Sequence, residues 1–154
     1  MLENLPLFQG FSPTQLSLLR DITEEYWCDA GQKVLAQGDP ATYLYIMLSG
    51  EVALQYKPHD GPQLTVTHLF AGDAFGWSAA IGAPVYTLSI LAVAPVRALR
   101  VSGAALRALT GAEPELGRQV LERLAKLVSS RWKHADQDAK ATLETALLRA
   151  RSSN

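Results

Sequence analysis

Residues 72–87 read Gly72-Asp73-Ala-Phe75-Gly76-Trp77-Ser78-Ala79-Ala-Ile-Gly82-Ala-Pro-Val-Tyr86-Thr87. Because glycine has no Cβ, Gly76 allows the backbone to come close to a neighbouring group or a ligand. Between Phe70 and Val96 the only acidic or basic side chain is Asp73. The stretch therefore combines a backbone suited to close approach with side chains that are nearly all neutral.

The sequence around this stretch has a spacing pattern that is typical of short strands. Glycines at 38, 50, 61 and 72 are separated by 12, 11 and 11 residues, which is typical of strands joined by turns. The pair Asp60-Gly61 is a hairpin signal. Apolar runs between the turns predict strands at 25–29, 33–36, 43–48, 51–57, 63–70, 86–93 and 96–101. This many evenly spaced strands predict a mainly β fold with flanking helices, as a β-roll or double-stranded β-helix jelly roll.

Helical patterns precede and follow the strands. The order Ser12-Pro13-Thr14-Gln15 combines an N-cap, a first-turn proline and a capping-box glutamine. After the strands, we expect Ser102 to cap a short helix that Gly111 stops. A second helix opens at Glu113-Pro114-Glu115, with its acidic residues in the positive first turn.

The last helix carries an apolar stripe that predicts a homodimer. Its length suggests an end either near Arg149 or near residues 136–138, and Arg131 interrupts the stripe. We expect the stripe to pair with a second copy, and the alternative is a helix folded back on its own sheet. Residues 1–111 then form the β-roll with its helical lead-in, and residues 112–154 the dimerisation helix of the same domain. The predicted dimer residues are Leu121, Leu124, Val128 and Ala135.

Two segments together resemble the cyclic-nucleotide-binding domain family. The first runs from Gly31 to Val52, with glycines at 38 and 50 around an acidic residue, a small residue and an apolar run. The second, from Gly72 to Thr87, is similar to that family's phosphate-binding cassette, which spans eleven residues from Phe75 to the position of Tyr86. The resemblance covers about residues 5–135. It implies a noncatalytic regulatory module, with backbone N–H groups around Trp77, Ser78 and Ala79 presented to a cyclic phosphate.

The cassette departs from the family's pattern at two charged positions. Members that bind cyclic AMP or cyclic GMP have a glutamate that holds the ribose 2′-hydroxyl, where this chain has Trp77. They have an arginine that pairs with the phosphate, where this chain has Tyr86. Since a hydrogen bond to a charged group contributes about 1.5–3 kcal/mol, losing both removes about 3–6 kcal/mol, or about 10²–10⁴-fold in affinity. We expect the usual mode of cyclic-nucleotide binding to be lost.

Several readings of the altered pocket stay open. Tyr86 offers a hydroxyl to a phosphate oxygen, and Ser78 either donates to a ligand or caps the short helix. Trp132 either stacks on a base or packs in the dimer seam, while Arg131 contacts the base or is solvated. The pocket is plugged or empty, binds a different small-molecule effector, or keeps a weak cyclic-nucleotide site. The candidate ligand-binding residues are Phe75, Gly76, Trp77, Ser78, Ala79, Tyr86, Thr87, Arg131 and Trp132.

Composition and charge exclude several general classes of protein. Of the 154 residues, 48% are hydrophobic and 19% charged, and the net charge is −1, so we expect a globular domain that does not coat nucleic acid. We expect no membrane span, because no long apolar run occurs. The single cysteine, Cys28, fits a reducing cytoplasm.

The chemistry of a catalytic or metal site is missing from the pattern. His59, His68 and His134 are spread over a loop, a strand and a helix, so we expect no metal site and no enzyme. We expect no cofactor beyond a small-molecule effector. The partners are a second copy or an unidentified protein, and the alternative function is a ligand-free dimerisation scaffold. If the gene product is longer, the chain is the effector domain of a DNA-binding transcription regulator.

Overall fold

The computed structural model describes residues 5–132, and the side chains of Pro6 and of residues 127–132 lie outside that description. The predicted lead-in is a 3₁₀ turn at Pro6–Phe8 followed by helix α1 at Pro13–Asp21. The Ser12 hydroxyl accepts a hydrogen bond from the Gln15 N–H at 3.2 Å, and the Gln15 side chain accepts one from the Ser12 N–H at 2.9 Å. The capping box predicted at the start of this helix is confirmed.

Two four-stranded antiparallel sheets form the body of the domain. The first has the strand order β1-β8-β3-β6 and the second the order β2-β7-β4-β5. All seven predicted strands are present with shifted ends, and one short strand, β6, was not predicted. The mainly β fold with flanking helices is therefore confirmed. The strands are β1 (Thr23–Cys28), β2 (Lys33–Leu35), β3 (Tyr43–Ser49), β4 (Val52–Tyr56), β5 (Leu64–Leu69), β6 (Ala74–Phe75), β7 (Ser89–Ala92) and β8 (Val96–Ser102).

Alternating side chains on β3 divide the buried residues into two clusters. Tyr45 and Met47 belong to the inner core, which is built from the facing sides of the two sheets. Leu44 and Ile46 point the other way and pack with the helices in a second cluster, the helical layer. Since successive strand side chains point to opposite faces, the first sheet is covered on both sides.

Three helices follow the early strands: α2 (Trp77–Ile81), α3 (Gly103–Ala112) and α4 (Pro114–Trp132). The Ser102 hydroxyl accepts from the Ala105 N–H at 3.2 Å, so the predicted cap of α3 is confirmed. The prediction that Gly111 stops this helix is wrong, because Gly111 lies inside it. The helix ends at Ala112, because Glu113 precedes a proline and leaves the helical conformation.

Helix α4 packs on the chain's own helical layer. Leu124 is fully buried there and Leu121 is half-buried against the same cluster. This differs from the predicted seam, because the lead-in and the first sheet already cover the face that carries Leu124. Arg123 fastens the helix to the lead-in: its guanidinium donates to the carbonyls of Leu7, at 3.0 Å, and Gln9 and lies 4.2 Å from the centre of the Phe11 ring.

The rest of the predicted dimer seam is not part of this description. The side chain of Val128 and the whole of Ala135 lie outside the described residues, as does the predicted helical stretch after Trp132. The homodimer therefore stays a prediction. Within residues 5–132, every helix is too short or too polar to cross a lipid bilayer.

Candidate functional site

A recess opens between the inner face of the second sheet and helix α2. Its cavity volume is about 60 Å³, and the empty space reaches about 630 Å³ when the part open to solvent is included. No charged side chain within residues 5–132 lines it. The lining residues are Leu35, Leu54, Thr67, Leu69, Ala74, Phe75, Gly76, Trp77, Ser78, Tyr86, Thr87, Leu88 and Ile90.

Gly76 determines how the chain enters helix α2. Its φ is +83°, in the left-handed region, and a Cβ added there would lie 2.6 Å from the Tyr43 carbonyl oxygen. Only glycine avoids both the strain and the clash. Gly76 is also the N-cap of α2, with no side-chain cap bond, while Ser78 lies inside the helix. The alternative that Ser78 caps this helix is therefore wrong.

The far side of helix α2 is held by α3, through residues that the sequence pattern did not reveal. A Cβ on Gly103 would lie 2.3 Å from the Ala79 carbonyl oxygen, so the two helices approach as closely as glycine permits. The same carbonyl accepts a hydrogen bond from the Arg107 guanidinium at 2.6 Å. Ala79 is fully buried in the inner core and does not line the recess. Its N–H donates to the Gly76 carbonyl at 3.1 Å and is not free for a ligand.

The Tyr86 hydroxyl is already engaged with the backbone of β3. It donates to the Tyr43 carbonyl at 2.7 Å and accepts from the Tyr43 N–H at 2.8 Å. The residue is only 6% exposed. Burial raises the pKa of this hydroxyl above its ordinary value, and the hydrogen bond from the Tyr43 backbone opposes that rise. The side chain is therefore a neutral link between β3 and the segment after α2, and its one proton is not available to a phosphate.

Arg100, a cation of the first sheet, makes its contacts outside the recess. Arg100 on β8 donates to the Glu24 carboxylate at 2.6 Å. Its guanidinium lies 4.2 Å from the centre of the Tyr43 ring and 5.4 Å from that of Tyr26. Arg100 does not line the recess, so the charge is paired and covered rather than presented to a ligand.

Six of the nine predicted ligand-binding residues line this one recess: Phe75, Gly76, Trp77, Ser78, Tyr86 and Thr87. Trp77 also packs against the helical layer, so its indole touches both the recess and the helices. The backbone of Arg131 and Trp132 lies in α4, but their side chains are outside the description. Contact of any of these residues with a ligand stays a prediction.

The remaining polar residues of interest are apart from the recess. The His68 ring and the Glu51 carboxylate are 2.7 Å apart at the end of the second sheet. Cys28 is buried in the inner core. Within residues 5–132 no group of three or more histidine, cysteine or acidic side chains is placed to hold a metal ion.

Known proteins are similar to this chain in sequence and in architecture. The family model for the cyclic nucleotide-binding domain matches residues 27–112. A CRP-like cAMP-activated global transcriptional regulator of Mycobacterium tuberculosis is 30% identical over 120 residues, covering 78% of this chain and 54% of that protein. The chain thus spans about half the length of that curated relative.

Solved structures agree. A cyclic nucleotide-binding domain from Methylobacillus flagellatus superposes with a TM-score of 0.74 at 28% identity, covering 86% of this chain and 74% of that one. The regulatory subunit of a cAMP-independent protein kinase A from Trypanosoma brucei shares the fold with a TM-score of 0.73 at 19% identity, covering 95% of this chain and 48% of that one. The matched model spans more than half of the sequence, and the chain belongs to the cyclic nucleotide-binding domain family.

Proposed function

We propose that this chain is a noncatalytic regulatory module whose recess has lost the family's usual way of binding cyclic AMP and cyclic GMP. The observation that carries the proposal is the neutrality of the recess: among residues 5–132 its walls present no cation and no carboxylate. A regulatory role follows from the family, and the altered ligand preference follows from the walls.

The charge balance argues against a bound cyclic phosphate. A buried anion without a paired cation is strongly disfavoured, because burial removes its hydration and nothing replaces it. Replacing the family's arginine and glutamate by Tyr86 and Trp77 costs about 3–6 kcal/mol of binding free energy. A site of micromolar affinity would then bind with a Kd in the millimolar range.

The geometry of Tyr86 strengthens this argument. For its hydroxyl to donate to a ligand, the bond to the Tyr43 carbonyl would have to break, which leaves that carbonyl unpaired. Trp77 adds bulk where the family has a carboxylate, and moving it would disturb the helical layer that it contacts. Both replacements are built into the packing of the domain.

The fold is compatible with regulation with or without cyclic AMP. The Mycobacterium tuberculosis relative is described as cAMP-activated, and the Trypanosoma brucei protein with the same fold is the regulatory subunit of a protein kinase A described as cAMP-independent. A second candidate function is the effector domain of a longer DNA-binding regulator, which the partial coverage of the Mycobacterium relative favours. A cytoplasmic homodimer is our expectation for either function, and binding of promoter DNA by the full gene product separates them.

Restoring the two missing charges tests the proposal. The double variant Trp77→Glu/Tyr86→Arg is titrated with cyclic AMP and cyclic GMP by calorimetry, beside the wild type and the uncharged control Trp77→Gln/Tyr86→Met. We expect binding by the charged variant alone, tighter by about 10²–10⁴-fold than by the control. Circular dichroism melting confirms that all three proteins are folded. Equal binding by the wild type and the charged variant would contradict the proposal.

A further inference from the structure

Three hydroxyl groups line the recess and have no protein partner. None of these hydroxyls makes a hydrogen bond to any atom of residues 5–132; they belong to Thr67, Ser78 and Thr87. A buried serine elsewhere behaves differently: the Ser89 hydroxyl accepts a hydrogen bond from the Gln37 N–H at 2.9 Å. The hydroxyl of this second buried serine is paired within the protein, whereas that of Ser78 is not.

Ser78 is the most informative of the three. The residue is only 4% exposed, and it lies between Trp77 and Ala79 on the helix that walls the recess. Every fully enclosed side-chain nitrogen or oxygen within the described residues has a partner. Because the Ser78 hydroxyl has none, it is not fully enclosed, and the residue lines the recess. A hydroxyl in this position loses free energy unless a molecule in the recess bonds to it.

The other walls define what that molecule is. Aliphatic and aromatic side chains, Phe75 and Trp77 among them, form most of the lining. Such walls favour an apolar body, and a few convergent hydroxyls orient it. The enclosed cavity is about 60 Å³ and the empty space reaches about 630 Å³ only when the part open to solvent is included, so a bound ring extends from the hydroxyls towards the mouth.

We infer that the recess binds an uncharged small molecule with an apolar ring body and a hydroxyl or carbonyl group that meets the Ser78 hydroxyl. The inference rests on the proposed function, since it assigns a ligand class to the recess that has lost cyclic AMP and cyclic GMP. The ligand's apolar body replaces water along the leucine, phenylalanine and tryptophan walls. Its single polar group satisfies the hydroxyl that the protein leaves open.

A matched pair of probes tests the ligand class. The neutral probe is 2-naphthol and the anionic probe is 2-naphthyl phosphate, which carry the same ring system with and without charge. Each is titrated into the full chain at pH 7 by isothermal calorimetry. We expect saturable binding of 2-naphthol, and binding of 2-naphthyl phosphate at least about tenfold weaker, because burial of its phosphate is uncompensated.

Substitutions test the position of the ligand. Ser78→Ala keeps the helix and removes the hydroxyl, so we expect it to weaken 2-naphthol binding by about 3–10-fold. Ser49→Ala, at an exposed serine outside the recess, is the control and should leave binding unchanged. Thermal melting of both variants verifies that they fold.

Each outcome decides the matter. Absence of 2-naphthol binding, or binding that Ser78→Ala leaves unchanged, would overturn the inference. In either case the proposed function survives if cyclic AMP also fails to bind in a parallel titration. Equal affinity for 2-naphthyl phosphate would overturn the uncharged ligand class. If cyclic AMP then binds as well, the proposed function fails together with it.

Discussion

Removal of one oxygen atom tests whether the Tyr86 hydroxyl is a structural link or a free ligand contact. In Tyr86→Phe, the Tyr43 N–H and carbonyl lose the partner that they meet at 2.8 and 2.7 Å. A hydrogen bond contributes a net of about 0.5–1.5 kcal/mol, so the two together contribute about 1–3 kcal/mol to the free energy of unfolding. In a domain of this size, that lowers the thermal midpoint by about 2–12 °C.

The assay is thermal and urea unfolding of Tyr86→Phe, followed by circular dichroism. Tyr56→Phe is the control, because Tyr56 is partly buried against the same inner core in which Tyr86 is buried, and its hydroxyl bonds to no atom of the described residues. We expect Tyr86→Phe to unfold at a clearly lower midpoint than this control. Equal midpoints for the two variants would refute the reasoning, since the Tyr86 hydroxyl would then be free to serve a ligand.

Two further predictions follow from the packing of helix α2 and from the buried tyrosines. Gly103→Ala places a methyl group 2.3 Å from the Ala79 carbonyl and should lower the free energy of unfolding by about 1–3 kcal/mol. Gly111→Ala, in the same helix with open space around it, should instead raise it by about 0.5–1 kcal/mol in urea titrations. A loss of stability in both variants would mean that the close approach of α2 and α3 is not the cause. Because burial raises the pKa of Tyr45 and Tyr86, the folded state holds these protons more tightly than the unfolded state. The urea midpoint should therefore stay level below about pH 10 and fall as the pH rises beyond it, and an unchanged midpoint at pH 11 would contradict this.

Local patterns in the sequence predicted the elements that depend on neighbours along the chain. The capping box at Ser12 and the cap at Ser102 follow from fixed spacings, and the strands follow from apolar runs between glycines. The Phe75-Gly76 pair was identified through its resemblance to a cassette, and the αL conformation and the close approach to Tyr43 give Gly76 its physical reason. In each case the deciding contact lies within a few residues or in one recognisable motif.

Contacts between segments that are far apart in the chain could not be predicted from the sequence. The hydrogen bond from Arg107 to the Ala79 carbonyl joins residues 28 positions apart, and no motif or spacing in the sequence indicates it. The sequence leaves open whether the Tyr86 hydroxyl donates to a ligand, because nothing in the chain indicates that it bonds to the backbone of Tyr43. Leu124 fits a dimer seam by periodicity, yet the same periodicity serves packing on the chain's own helical layer.

Two element boundaries, the end of α3 and the strand β6, were also predicted incorrectly or missed. Gly111 carries the propensity to end a helix, but the helix continues to Ala112 and ends at Glu113, the residue before Pro114. The short strand β6 holds only Ala74 and Phe75 and pairs with the middle of β3. Its two residues are too few for a period-2 pattern, so only the paired partner reveals it.

The most direct measurement is a calorimetric titration of the wild-type chain with cyclic AMP and cyclic GMP at physiological ionic strength. With no cation or carboxylate among the described walls of the recess, we predict no saturable heat for either nucleotide up to about 1 mM, since the expected Kd lies in the millimolar range or above. A Kd in the micromolar range for either nucleotide would contradict the account.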